Sequence, residues 1–215
     1  LVVDKQVFCS ELKQLMAGYT KLNLQTFFVL VHVAYEKTLK NNEKKHTIFY
    51  HIHNPSPYAK LNFLRYNPKS RLIMIVREPI QSCESWVRNI FNYKDMTNIH
   101  NRIISMLFGF DQIAFRTQDS IGVRLEDLKT HPKETMSALC DWMGIKEETS
   151  LYEMTAQGKK WWGDPSSPDY GKEAMSPFGD SSIKRSVGSI FSEKDQYILR
   201  VLFYPFSVRF DYITE

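Results

Sequence analysis

Arg77 and Ser85 are the two residues whose types and spacing most clearly suggest chemistry. The apolar run at residues 71–76 ends directly before Arg77, and Pro79 suits the first turn of a helix. In a parallel α/β sheet, ligands bind at the carboxyl ends of strands, where a helix N-terminus offers N–H groups to an anion. Arg77 adds a forked cation suited to phosphate, and Ser85 adds a hydroxyl two helical turns later. The alternative is that Arg77 pairs with an acid such as Glu78 and that Ser85 is ordinary helix surface.

Two histidines and two adjacent cations are the other candidates. His51 and His53 stand at the end of a predicted strand, and a histidine can accept a proton near neutral pH. Lys184 and Arg185 lie shortly before Gly188. The plainer alternatives are a histidine whose hydrogen bonds are satisfied at a strand end and a pair of cations that face water.

The order of these features resembles that of the sulfotransferases that use 3′-phosphoadenosine 5′-phosphosulfate (PAPS). In that family a strand ends in Arg-[Asp/Glu]-Pro, and a Ser eight residues after the Arg helps it to bind the 3′-phosphate. The resemblance therefore implies this role for Arg77 and Ser85. Residues 182–192 are similar to the family's basic C-terminal loop, which implies that Lys184 and Arg185 close over the same phosphate. PAPS would be the sulfate donor, and no metal is expected.

The segment His-Ile-His-Asn-Pro at residues 51–55 is similar to the Lys-x-His-x-Pro of the family's cytosolic members. The resemblance implies that His53 is the general base. His51 replaces the family's Lys and is the alternative base. Residues 122–144 are similar to another family stretch, in which Tyr-Glu-Asp-Leu follows a strand and precedes a Pro-led helix. There Leu125 replaces the Tyr that borders the adenine.

One expected feature, the sulfate-side phosphate loop, is absent from the sequence. The family's loop reads Pro-Lys-[Ser/Thr]-Gly-[Ser/Thr]-Thr-Trp, in which backbone N–H groups wrap the 5′-phosphate and Lys adds charge. Before Arg77 the chain has a single glycine, Gly18, in an unrelated context. We therefore expect residues 1–215 to form a single sulfotransferase-like domain that lacks its N-terminal strand and phosphate loop. The chain is then either a piece of a longer protein or a degenerate relative, and its start at Leu1 favours the first.

Alternating strands and helices predict an α/β fold, and the resemblance makes it a P-loop-NTPase-like parallel sheet flanked by helices. The almost entirely apolar run at residues 71–76 is typical of a strand covered on both faces. Strands are predicted at residues 47–52, 71–76 and 120–125. Helices are predicted at residues 22–39, 55–65, 79–91, 96–117, 132–143 and 192–203. Residues 156–184 lack periodicity and read as a long loop.

Composition restricts the classes of function. The 215 residues carry a net charge of +4, which suits an anionic small molecule and is too weak to indicate nucleic acid. The three widely spaced cysteines form neither a disulfide framework nor a zinc motif. The longest apolar run, residues 27–35, is shorter than the roughly 20 residues needed to span a bilayer. We expect a cytoplasmic location, or the Golgi lumen if an anchor precedes Leu1.

Three functions follow from these observations. The leading one is transfer of a sulfuryl group from PAPS to a hydroxyl or amine of a small molecule or glycan. The second is a non-catalytic module of the same fold that binds a nucleotide or a protein. The third is a P-loop kinase relative, against which the lack of Gly-x-x-x-x-Gly-Lys counts.

Overall fold

The structure is a computed structural model that describes residues 3–41, 44–52, 57–91, 96–109, 113–156, 159–160, 178–179, 183 and 187–213. These residues fall into two compact units, Leu1–Ser70 and Arg71–Glu215. Each unit is described separately. The prediction of a single domain concerns how the units are arranged and stays a prediction.

The first unit is built from helices. They are α1 (Lys5–Met16), α2 (Leu24–Thr38) and α3 (Pro57–Tyr66). Asp4 caps α1 by accepting the N–H groups of Gln6 and Val7, and Asn23 caps α2 in the same way. Helices α2 and α3 confirm the predicted helices in this region, whereas α1 was not predicted.

The predicted strand at residues 47–52 is wrong, because these residues are in neither a strand nor a helix. Their aromatic content serves side-chain packing instead. The Tyr50 ring stacks on Phe63 with 5.6 Å between centroids and meets the edge of Phe28 at 5.3 Å. Aromatic and β-branched residues favour strands mainly through packing, so the same residues can pack without backbone pairing.

The second unit contains a parallel pair of strands. Strands β1 (Leu72–Val76) and β2 (Ser120–Arg124) run from Leu72 opposite Ser120 to Val76 opposite Arg124. This confirms both strands and their parallel direction, and the described part of the chain is an α/β structure rich in helix. The two carboxyl ends are level with each other, so residues that follow the strands emerge at the same edge.

The rest of the described second unit is mainly helical, and most of its helices begin or end where the sequence indicated. Pro132 opens one helix and Gly144, at φ 68°, closes it, while Ser192 and Asp195 form a capping box at another. The helices are α4 (Pro79–Phe91), α5 (Met96–Gly109), α6 (Ile113–Thr117), α7 (Leu125–Thr130), α8 (Pro132–Met143), α9 (Glu193–Leu202) and α10 (Tyr204–Arg209). The predicted helix at 96–117 corresponds to α5 and α6, with residues 110–112 outside the description. Short strands β3 (Thr155–Ala156) and β4 (Lys159–Lys160) pair antiparallel at the start of the predicted loop, most of which lies outside the described residues.

The core of the second unit lies where β1 leads into α4. Val76 and Ile80 pack against Leu199, Phe203 and Phe206 of the two C-terminal helices. The C-terminal residues therefore hold the strand end that carries Arg77. The described cysteines are free thiols, and no described helix combines the length and the apolar character needed to cross a membrane.

Candidate functional site

The carboxyl ends of β1 and β2 are joined by the side chain of Glu126. Its Oε1 accepts the backbone N–H of Glu78 at 3.0 Å, and its Oε2 accepts the Tyr212 hydroxyl at 2.7 Å. Burial and this hydrogen bond raise the pKa of Tyr212. One carboxylate thus ties both strand ends to the C-terminal residues, a structural role for Glu126.

Arg77 lies at the end of β1 with its side chain turned toward helix α4. Its Nη2 donates to Oε1 of Gln81 at 2.7 Å, and its Nε is buried. Arg77 is half-buried overall. The guanidinium is therefore held against the first turn of the helix that follows β1.

The N-terminus of α4 is capped from within the chain. The Glu78 carboxylate accepts the N–H of Ile80 at 3.2 Å and that of Gln81 at 2.5 Å, while its carbonyl accepts the N–H of Ser82 at 2.9 Å. Pro79 has no N–H to offer. The expectation of free N–H groups at this helix N-terminus is therefore wrong, because a neighbouring acid already satisfies them. An anion at this edge would be held by side chains.

Ser85 is half-buried and lies one turn beyond Gln81 on the same face of α4. Because Gln81 also accepts a hydrogen bond from the Arg77 guanidinium, Arg77 is bonded to the face of α4 that carries Ser85 one turn later. An anion that binds both Arg77 and Ser85 would lie along this face of α4.

Glu84 is the site residue that sequence reasoning missed. Its side chain is buried, with the residue 1% exposed. Oε1 accepts the Ser189 N–H at 2.8 Å, the Ser189 hydroxyl at 2.6 Å and the Ile190 N–H at 3.3 Å, while Oε2 accepts the Gly188 N–H at 2.8 Å. Burial raises the pKa of this carboxyl, but the hydrogen bonds from Ser189, Gly188 and Ile190 outweigh it and lower the pKa to about 2. An ionised acid therefore fastens residues 188–190 to α4, beside Ser85.

A signal for Glu84 was present in the sequence. It lies on the apolar stripe of α4, between the buried residues Ile80, Cys83 and Val87. A carboxylate on such a stripe is buried and must have partners. The partners themselves come from 104 to 106 residues further along the chain, so local patterns could not identify them.

Three of the predicted site residues, His53, Lys184 and Arg185, lie outside the described residues. His51 is described and exposed, and it belongs to the first unit, whereas Arg77 and Ser85 belong to the second. The structure thus bonds Arg77 to Gln81, one turn before Ser85, and all of the predicted site roles stay predictions. Leu125 begins α7 and is half-buried.

A cavity of about 400 Å³ opens elsewhere in the second unit, between β2, α8 and α10, and neither Arg77 nor Ser85 lines it. One of its two arginines, Arg124, donates to both carboxylate oxygens of Asp127 at 2.7 and 2.6 Å and to the Asp211 carbonyl at 2.7 Å, and the other is Arg209. Hydrogen bonding to Arg124 lowers the pKa of Asp127. The Arg124 guanidinium of this cavity is therefore already matched by a carboxylate.

No group of three or more His, Cys, Asp or Glu side chains within the described ranges is placed to hold a metal ion. Comparison of the chain with protein-family models, with curated proteins and with solved structures gave no match. A functional argument therefore depends on the motif around Arg77 and on the geometry of α4.

Proposed function

We propose that this chain acts in PAPS-dependent sulfate transfer, with Arg77 and Ser85 binding the 3′-phosphate of the donor. One observation carries the proposal: the Arg77 guanidinium is bonded to α4 at Gln81, one turn before Ser85, at the carboxyl end of a parallel strand. A guanidinium and a hydroxyl on one helix face are suited to a phosphate. A wider P-loop-NTPase-like sheet flanked by helices is part of the same proposal.

In this reaction a hydroxyl or amine of a small molecule or glycan attacks the sulfur of PAPS. The new bond joins the acceptor atom to sulfur, the bond from sulfur to the 5′-phosphate oxygen breaks, and adenosine 3′,5′-bisphosphate leaves. The acceptor's proton passes to His53, or to His51 in the alternative. By analogy with phosphoryl transfer, positioning and charge stabilisation supply most of the acceleration.

Lys184 and Arg185 are proposed as further ligands of the 3′-phosphate. Residues 188–190, which follow them closely, are held on α4 by Glu84, the neighbour of Ser85. That attachment supports a role for this part of the chain near Ser85.

The test is calorimetric titration of the full chain with adenosine 3′,5′-bisphosphate and with adenosine 5′-phosphate. We expect the bisphosphate to bind at least about tenfold more tightly, the scale of one charge-assisted contact. Arg77→Gln and Ser85→Ala should reduce that preference. Arg200→Gln should not, because Arg200 is an exposed arginine of α9 that also donates to a glutamine side chain. Equal affinity of the wild-type chain for both nucleotides would overturn the proposal.

A non-catalytic binding module is the second candidate, and the capping by Glu78 favours it. That carboxylate occupies N–H groups of α4 that a bound phosphate could otherwise use, and Glu126 brings a second acid to the same edge. Such a module would bind its ligand without consuming PAPS. ATP with Mg²⁺ serves as a third titrant, since a kinase relative would prefer it to the bisphosphate.

A further inference from the structure

The polar face of α4 extends beyond Ser85 to an arginine. Gln81, Ser85 and Arg88 lie at positions i, i+4 and i+7, which share a helix face. The opposite face carries the buried Ile80 and Val87. Arg77 is bonded to the first member of the polar face, so the two arginines stand at its two ends with Ser85 between them.

The Arg88 side chain runs back along the helix toward Ser85. Its Nη2 donates to the Ser189 hydroxyl at 2.5 Å and lies 3.5 Å from Oε1 of Glu84, four residues earlier. Helical side chains lean toward the N-terminus, and this contact shows that the guanidinium lies back toward the turn that carries Glu84.

Arg88 is fixed in place yet accessible. Its side chain is 48% exposed, and among the described residues its contacts use Nη2 alone. The Glu84 carboxylate beside it is satisfied by hydrogen bonds from residues 188–190, and 3.5 Å is long for a hydrogen bond to Arg88. Arg88 and Glu84 therefore form a long ion pair, and the guanidinium keeps N–H groups for a further acceptor.

We propose that Arg88 is a second cationic ligand of the 3′-phosphate, acting with Arg77 from the other end of the same helix face. This inference rests on the proposed function. Glu84 and Ser189 position the guanidinium through Nη2, and the remaining N–H groups of Arg88 donate to the ligand. A guanidinium suits this role because its fork can donate two parallel hydrogen bonds to one phosphate.

The experiment compares the binding of adenosine 3′,5′-bisphosphate and adenosine 5′-phosphate to the full chain and its Arg88 variants. Arg88→Gln should weaken binding of the bisphosphate about tenfold, the scale of one charge-assisted contact. The affinity for adenosine 5′-phosphate should stay within about twofold of wild type. Arg88→Lys keeps the charge without the forked guanidinium, so its affinity for the bisphosphate should lie between those of wild type and Arg88→Gln. Arg200→Gln is the matched control and should match wild type.

The outcomes separate this inference from the proposed function. If the wild-type chain prefers the bisphosphate and Arg77→Gln removes the preference but both Arg88 variants keep it, Arg88 is not a ligand and the proposed function stands. If Arg88→Gln and Arg88→Lys lose affinity equally for both nucleotides, the role of Arg88 is purely structural and the inference is overturned. A wild-type chain without preference for the bisphosphate overturns both.

Discussion

At the scale of single residues, Glu84 shows how surroundings set the chemistry of a side chain. A carboxylate taken out of water is costly unless hydrogen bonds replace its hydration. Residues 188–190 supply three backbone N–H groups and a hydroxyl, so the ionised form becomes the stable one. The same contacts keep the C-terminal segment beside Ser85.

The low pKa of Glu84 predicts a specific loss of stability in acid. Its folded-state pKa of about 2 lies below the ordinary 4.5, so its contribution is complete above about pH 4.5 and is lost as the pH falls toward 2. The shift corresponds to a contribution on the order of 3 kcal/mol to the free energy of unfolding. Denaturant unfolding measured from neutral pH down to about pH 3 should show a steeper decline for wild type than for Glu84→Gln.

Glu148→Gln is the control for that measurement, because Glu148 is 59% exposed and pairs only with the exposed Lys146 among the described residues. It should follow wild type at every pH. Parallel curves for wild type and Glu84→Gln would show that Glu84 does not titrate as its contacts imply.

At the scale of elements, a glycine in strand β2 allows the C-terminal residues to pack closely against the strand. A Cβ added to Gly122 would overlap the ring of Phe210, which also packs against Phe206 with 4.8 Å between centroids. The glycine is therefore required by the close approach of an aromatic ring, since its φ is not in the left-handed region. This contact holds the end of α10 against the parallel strands.

Gly122→Ala should lower the free energy of unfolding by about 1–3 kcal/mol, because the Phe210 ring must move out of its packed position. Gly109→Ala is the matched control: a Cβ there has no neighbour within 4 Å, so stability should be unchanged or slightly higher. Adding Phe210→Leu to Gly122→Ala should recover part of the loss in denaturant unfolding. A double variant as unstable as the sum of the two single ones would argue against the overlap.

At the scale of the whole molecule, the features assigned to the nucleotide all concern the 3′-phosphate. Gly18, the single glycine before Arg77, lies in the turn that follows helix α1, and within the described residues no strand leads into it. The sulfate-side phosphate therefore has no loop of the P-loop kind among these residues. Positioning of the reacting group can lower an activation barrier by about 7–11 kcal/mol, so a chain that does not position the sulfuryl group loses much of the rate acceleration.

If the proposed function holds, we expect residues 1–215 alone to bind adenosine 3′,5′-bisphosphate and to need a phosphate loop from outside these residues before they transfer sulfate. The measurement is release of the bisphosphate from PAPS in the presence of hydroxyl and amine acceptors. The same sample is titrated with the bisphosphate, so that inactivity is not confused with unfolding, and an active sulfotransferase serves as the positive control. Measurable transfer by this chain would show that other residues position the sulfuryl group.

What the sequence determined by itself was local. Pro79, Pro132, Gly144 and Ser192 marked helix ends correctly because first-turn and capping interactions involve residues a few positions apart. The segments predicted as strands at residues 71–76 and 120–125 were strands as expected. The placement of Ser85 on one face with Gln81 also follows from helical spacing alone.

The tertiary structure decided the partners. Residues 47–52 had the composition of a strand, yet Tyr50 found aromatic neighbours rather than a pairing strand. The sequence did not reveal that Glu126 and Glu84 bind backbone N–H groups 48 and 104 residues away. Backbone pairing and buried charge depend on groups that are distant in sequence and become neighbours only when the chain is folded. The tertiary packing therefore decided which backbone groups the carboxylates of Glu84 and Glu126 bind, and no local pattern could show it.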